Sequence, residues 1–441
     1  MPPRRRDRRR PRDPSPDTSR SSTAASPSSS SHSSGSRFRP ALLAPLLLLL
    51  LFLVVAALHF TGRISLTGPQ PQNPQRRKNL SVYERGLVKR AVSASEILAE
   101  HATVSVNRSR RHFRNPVLAY VTPWNSKGYD MAKLFSAKFS YISPVWYDLK
   151  SDGDKLVLEG QHNFDSRWVS ELQSNGSLVL PRVVLEAFPR VVLLKKKLWK
   201  KAIDLIVSEC RDKGYDGVVL ESWSRWAAYG VLDDPELRNM ALQFVKHLGK
   251  TLHFTSSNLS THHHLELIYV IPAPRMKELN NHDFGPEDLL QLADSVDGFS
   301  LMTYDFSGPQ NPGPSAPLSW IRYSLETLLT AKVSASHGHS HMIFLGINFY
   351  GNDFLLSKGD GGHAITGRDF IYLLEKYKPS LQWDEKSSEH FFVYSDKGLR
   401  HAVFYPTLMS LSVRLDEAQY WGTGISIWEI GQGLDYFFDV L

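Results

Sequence analysis

Cysteine is nearly missing from this sequence: Cys210 is the single one among 441 residues. No internal disulfide can form, and the place of Cys210 on a helical pattern ahead of an apolar strand marks a buried structural thiol rather than a nucleophile. Signatures of phosphate chemistry are also lacking. The first apolar strand runs into Tyr120-Val121-Thr122-Pro123-Trp124, with no Gly-rich turn, which disfavours an open doubly wound nucleotide-binding sheet. There is no phosphate loop, zinc motif or nucleophile elbow, so no cofactor and no metal are expected. His337, His339 and His341 alternate in a Ser/Gly-rich loop, and His262, His263 and His264 are consecutive, but neither group has a fourth ligand in zinc-site spacing.

What is present begins with charge. The chain carries 52 Lys+Arg against 44 Asp+Glu, a net charge of +8, and much of the excess lies in the arginines from Arg4 to Arg12 with Arg20, Arg37 and Arg39. Residues 1–40 are rich in Arg, Ser and Pro and read as a disordered basic tail. Residues 41–60 are an uncharged Leu-rich run, about 20 residues and long enough to cross a bilayer as a helix. Arginines before the run and few charges just after it place the tail in the cytosol and the remainder in the lumen or outside the cell. The expectation is a single-pass type II membrane protein of the endomembrane system, with secretion or lysosomal delivery after processing as the alternative. The basic tail reads as a topology signal, so no nucleic-acid partner is expected. Residues 61–112 read as a polar lumenal stem. Asn79, Asn107, Asn175 and Asn258 begin N-x-Ser/Thr matches, candidate glycosylation sites on that side of the membrane.

From Pro116 onward, apolar strand-like runs alternate with helix-period stretches. The strand-like runs are 117–122, 139–146, 179–185, 217–223, 265–271, 298–304, 343–349 and 424–428. Buried strands separated by crossovers predict an α/β fold, a (β/α)8 barrel over residues 113–441. One connection is longer than the rest. Residues 350–406 hold a helix-like and several strand-like stretches of their own, a small α+β insertion between strand seven and the last helix that walls one side of the barrel mouth.

The chain is organised around Gly214-Tyr215-Asp216-Gly217-Val218-Val219-Leu220-Glu221-Ser222-Trp223. Strand alternation predicts Gly217, Val219, Glu221 and Trp223 on the lumen side and Val218, Leu220 and Ser222 on the other. One carboxylate among apolar neighbours near the mouth of a barrel is a candidate for chemistry, and burial in such surroundings favours the protonated form that a general acid needs.

Three features resemble glycoside hydrolase family 18, the chitinase family: Gly214-Tyr215-Asp216-Gly217, Met302-Thr303-Tyr304-Asp305 and Trp428. The runs 297–305 and 316–320 are similar to its chitinase domain-containing branch. The resemblance covers essentially all of residues 116–441. It implies substrate-assisted chemistry in which one strong acid protonates the leaving oxygen while the sugar's N-acetyl group attacks. The family's D-G-x-D-x-D-x-E pattern, anchored on Asp216-Gly217, places Val219 and Glu221 at its later Asp positions and Trp223 at the proton donor. Glu221 is thus expected two residues deeper than the donor, about 6.6 Å at roughly 3.3 Å per residue, beyond the roughly 3 Å contact that proton transfer needs. A two-residue register slip preserves parity, which keeps Glu221 open as the acid. The resemblance further implies that Tyr304 contacts an N-acetyl group, that Asp305 supports it and that Trp428 floors the sugar. Trp124, Trp146 and Trp223 are further aromatic candidates at the mouth, with Asp216, Glu221 and Met302 in support. The expected ligand is an oligosaccharide of the chito-oligosaccharide kind, and the expected membrane contact is residues 41–60. A hydrolase using Glu221 and a protein-binding scaffold with a vestigial groove stand as alternatives.

Overall fold

A computed structural model describes residues 79–441 apart from 153–154, 256–263, 276–278, 330–335 and 357–360. The basic tail, the apolar run at 41–60, the start of the expected stem and Asn258 lie outside the described residues. Among the described residues, no helix is long and apolar enough to cross a membrane. Asn79, Asn107 and Asn175 are all exposed.

Strand order follows the apolar runs closely. The strands are β1 (Val117–Val121), β2 (Tyr141–Pro144), β3 (Tyr147–Asp152), β4 (Lys155–Glu159), β5 (Leu178–Val179), β6 (Arg182–Leu185), β7 (Gly217–Glu221), β8 (Glu266–Pro272), β9 (Gly298–Met302) and β10 (Ile343–Asn348), then β11 (Gly351–Leu355), β12 (Gly362–Ile365), β13 (Gln382–Asp384), β14 (Glu389–Asp396), β15 (Leu399–Phe404) and β16 (Gly424–Trp428). Pro181 has no N–H to give a ladder, and the third apolar run is divided there into β5 and β6. β2 pairs with β5 and β3 with β6, both parallel. Parallel pairs then continue from β6 through β7, β8, β9, β10 and β16 to β1, which pairs back onto β2. This curled parallel sheet agrees with the (β/α)8 expectation. β4 folds back antiparallel on β3, a hairpin that the alternation of strands and helices does not announce.

The period-two pattern sorts side chains between two cores. Leu118, Tyr120, Leu180, Val219, Ile268, Val270 and Phe344 fill the lumen, with Met302 and Trp428 packed against them. Their alternates, among them Val117, Ala119, Val218 and Leu220, face the surrounding helices. β7 and β9 begin in the same way. Asp216 and Asp297 each precede a glycine, and each carboxylate accepts a backbone N–H from an earlier strand segment, Val179 at 2.8 Å and Leu267 at 2.7 Å. Gly217 adopts φ +151°, and a Cβ there would lie 2.0 Å from the Glu266 carbonyl oxygen, so only glycine permits this approach.

Within residues 350–406 a five-stranded antiparallel sheet runs in the order β12-β11-β15-β14-β13 with the helix Gly367–Tyr377; β11 and β12 lie ahead of the stretches that read as strands in the sequence. The stem departs from expectation. Val82, Leu87, Ala94 and Ile97 are buried in the outer core. Arg85 forms a buried ion pair with Glu100 at 2.7 Å and reaches Asp439 at 3.4 Å. The described part of residues 61–112 is therefore packed as part of the barrel domain, because its scattered apolar residues meet a partner surface that the sequence pattern does not reveal.

Candidate functional site

β7 ends at Glu221, the last residue to keep strand geometry. Ser222 leaves it (φ −150°, ψ −25°) and Trp223 starts a helix, Trp223–Ala228. The turn cancels the parity expected beyond Glu221. Trp223 is fully buried outside the lumen, with its ring 4.9 Å from Phe284 and its indole N–H donating to the His282 carbonyl at 2.8 Å. The Arg238 guanidinium covers it at 4.9 Å. No indole faces the mouth at the family's donor position, which corrects the expected lumenal Trp223.

Glu221 terminates its strand, and its side chain keeps 20% exposure. Its neighbours are not the apolar set expected. Arg182 Nε donates to Glu221 Oε2 at 2.7 Å, and its Nη2 bonds the same oxygen. The same guanidinium lies over the Trp428 indole, 5.2 Å from the ring centroid. Tyr120 completes the group: its ring is 5.2 Å from that of Trp428, and its hydroxyl donates to Ser300 Oγ at 2.9 Å. Arg182, Glu221, Tyr120 and Trp428 thus form one connected cluster: Glu221 and Trp428 end β7 and β16, Tyr120 lies one residue before the end of β1, and Arg182 opens β6.

Tyr304 and Asp305 follow β9 at the same end. Burial holds the Tyr304 phenol well above its ordinary range, with smaller contributions from Tyr120 and the charge of Glu221, so Tyr304 acts as a neutral hydrogen-bonding group. Gly346 makes room for it, since a Cβ there would meet Tyr304 Cε1 at 3.0 Å and the Leu301 carbonyl oxygen at 2.4 Å. Asp305 is exposed and takes a left-handed conformation, φ 59°, which aspartate tolerates better than most residues. Three partners hold it there. Its carboxylate accepts the Tyr350 hydroxyl, its N–H donates to Ser315 Oγ at 3.2 Å, and its carbonyl accepts Arg275 Nη2 at 2.6 Å. Met302, like Trp428, packs against the lumenal core.

Trp124 and Trp146 part company. Trp124 is 70% exposed and lines a groove of about 550 Å³ with Asn125, Lys127, Arg368, Ile371 and Gln432, so the insertion does border a groove beside the barrel. Trp146 is buried, with its N–H donating to the Tyr129 hydroxyl at 2.7 Å and its ring 5.7 Å from Trp168. It belongs to the packing around the sheet and cannot offer a face to a sugar. Asp216 also lies away from the mouth, because its carboxylate is the strand clip described above and accepts Gln173 as well, at 2.9 Å.

Reasoning from the sequence missed Arg182, Tyr120 and Tyr350. For the first two a signal existed. Arg182 shares its parity with the lumenal Leu180, Tyr120 with Leu118, and a charge inside an apolar strand calls for an opposite charge nearby. Tyr350 gave none, since its link to Asp305 depends on how the chain leaves β10. Metal-ligand geometry exists at the other end of the sheet, where His253 and His264 place Nε2 2.9 and 3.0 Å from the Asp297 oxygens. Those hydrogen bonds link the three side chains directly.

Comparison with known proteins gives this geometry a context. A curated relative, the cortical fragment-lytic enzyme of Bacillus subtilis, is 28% identical over 144 residues, 31% of this chain and 32% of its own length. The chain therefore matches only about a third of that relative. Among solved structures, a chitinase from Chromobacterium violaceum superposes with a TM-score of 0.61 at 22% identity, covering 74% of this chain and 98% of its own. The spore cortex-lytic enzyme SleL of Bacillus megaterium gives 0.60 at 18% identity, covering 74% and 72%. A Cycas revoluta chitinase in complex with (GlcNAc)3 gives 0.61 at 14%, covering 74% and 97%. At such identities these structures are similar in fold alone. The family model described as Glycosyl hydrolases family 18 matches residues 187–433, more than half of the sequence. By that match the chain belongs to glycoside hydrolase family 18.

Proposed function

We propose that this protein is a chitinase-like lectin that binds N-acetylglucosamine-containing oligosaccharides and does not hydrolyse them efficiently. One observation carries the reading. The residue aligned with the family's proton donor, Trp223, is buried outside the lumen, while the strand's own carboxylate, Glu221, is held by Arg182. A carboxylate engaged by a guanidinium accepts hydrogen bonds, whereas general acid catalysis needs a donor within about 3 Å of the leaving oxygen. Tyr304, Asp305 and Trp428 retain the family's sugar-contacting types, and an indole suits the apolar face of a pyranose. The Cycas chitinase solved with (GlcNAc)3 points to the same ligand class.

Titration of the protein with chito-oligosaccharides, alongside a turnover assay on a chromogenic chito-oligosaccharide, tests the proposal. Saturable binding without turnover is expected, and absence of binding to any such sugar would overturn it. A hydrolase reading is favoured by the place of Glu221 at the strand end with part of its side chain exposed. Turnover that is lost in Glu221→Gln would establish that alternative. We further assign the chain to the chitinase domain-containing branch, and to an endomembrane type II orientation with residues 41–60 as anchor. Protease protection of the barrel domain in sealed microsomes tests the orientation.

A further inference from the structure

The helix Lys196–Lys213 begins in a way that works against its own stability. Lys195, at the N-cap position, gives the helix no side-chain capping bond, and Lys196, Lys197, Lys200 and Lys201 occupy its first two turns. Cations there oppose the positive end of the helix dipole. Lys196/Lys200 and Lys197/Lys201 are also like-charge pairs four residues apart, each unfavourable by a few tenths of a kcal/mol. The facing helix, Pro235–His253, carries a further like-charge pair at the same spacing, Lys246 and Lys250, with His247 between them, although near its C-terminus the dipole favours them. Among the described residues, Lys196, Lys200, Lys246 and Lys250 have no ion-pair partner.

These two helices border a groove of about 670 Å³ whose single lining acid is Asp204. Trp199 and Ile203 supply apolar surface within it. The Trp199 indole nitrogen itself is buried, so the side chain presents carbon to the groove. Repelling charges kept together over a concave surface that also holds an indole make a site complementary to a counter-charge from outside the chain.

We infer that this groove binds a polyanionic oligosaccharide, at a second site separate from the barrel mouth. The lysines match sulfate or carboxylate groups along a sugar chain, and Trp199 contributes an apolar surface. Concavity disfavours a flat lipid surface. A lone aromatic disfavours single-stranded nucleic acid, which is bound by stacking successive bases on several rings.

The test uses the full-length chain and a fluorescein-labelled heparin hexasaccharide at low and moderate salt. Binding that weakens with salt and is not competed by uncharged chitohexaose is expected. The Lys196→Gln/Lys200→Gln/Lys246→Gln variant should bind on the order of tenfold more weakly, with a shallower salt dependence. Its thermal midpoint should not fall, because the change relieves repulsion. Trp199→Ala, which removes the ring from the groove, should lose affinity severalfold with the salt dependence intact. The arginines from Arg4 to Arg12 are the competing polyanion site. Unchanged binding by the lysine variant, with loss on replacing those arginines by glutamine, would overturn the inference. So would no binding of the hexasaccharide, a lower midpoint for the lysine variant, or tighter binding to phosphatidylserine vesicles or to a single-stranded oligonucleotide.

Discussion

β7 and β9 start alike and finish differently. Each opens with Asp-Gly, and in each the aspartate both donates its N–H to and accepts an N–H from one residue of an earlier segment, Val179 for Asp216 and Leu267 for Asp297. At the far end, β9 runs into Met302-Thr303-Tyr304-Asp305, the run that resembles the family's, while β7 runs into Glu221-Ser222-Trp223 and turns outward. The lesson is that the clip at the start of a barrel strand answers to the fold, whereas the mouth answers to the chemistry, and one end can change while the other is kept.

Trp223→Glu offers the harshest test of this contrast. If the outward turn is as described, the new carboxylate is buried against Phe284 rather than presented at the mouth, and it should cost more than about 3 kcal/mol in urea unfolding with no gain of turnover. A well-folded variant that hydrolyses chito-oligosaccharide would return residue 223 to the lumen. Removing the clips comes next. Asp216→Ala and Asp297→Ala each strand a backbone N–H, and each should lose about 1–3 kcal/mol by the same measurement without altering sugar affinity at the mouth. Unequal losses would show that the two starts are alike in geometry only.

Trp428→Ala should weaken oligosaccharide binding by about 1–3 kcal/mol in calorimetric titration, while Trp146→Phe should leave it unchanged. Equal effects would contradict the separation of those two indoles. A pH experiment addresses the ground between the clips. Glu266 opens β8, and burial, with the negative charge of Asp297 next, pushes its carboxyl up to about 7. One of its oxygens is buried without a partner. Unfolded glutamate titrates near pH 4.3, so between about 4.3 and 7 the folded chain holds a proton that the unfolded chain has released. The resulting stabilisation is fully present below about pH 4.3 and is lost as pH rises through about 7, a decline of roughly 1–3 kcal/mol. Glu266→Gln should flatten that decline in urea midpoints measured across the range. A slope that persists would move its origin to other groups.

Much of the fold was legible because its signal is local. Apolar runs alternating with helix-period stretches marked the strands, and the second half of the long connection was recognisable as a sheet with one helix. The hairpin of β3 and β4 was not legible, since its outward strand continues β2 after a short break, and neither was the docking of residues 79–112, whose apolar residues are too sparse to show a period. At the mouth, residue types matched to the family pattern pointed to Tyr304, Asp305 and Trp428 but misplaced Trp223 and Trp146. Both errors have one cause: alternation holds only while strand geometry holds, and the chain leaves it at Ser222 and again between β2 and β3.

The sequence by itself determined the parallel α/β architecture, the insertion and the Asp-Gly starts, because each follows from the conformational preferences of residues near one another in the chain. Tertiary structure alone decided that Arg182 meets Glu221 over Trp428, that Tyr350 holds Asp305, and that Trp223 turns away from the lumen. Contacts of that kind depend on the register between strands and on where each strand ends, and those are fixed by the packing of the whole sheet.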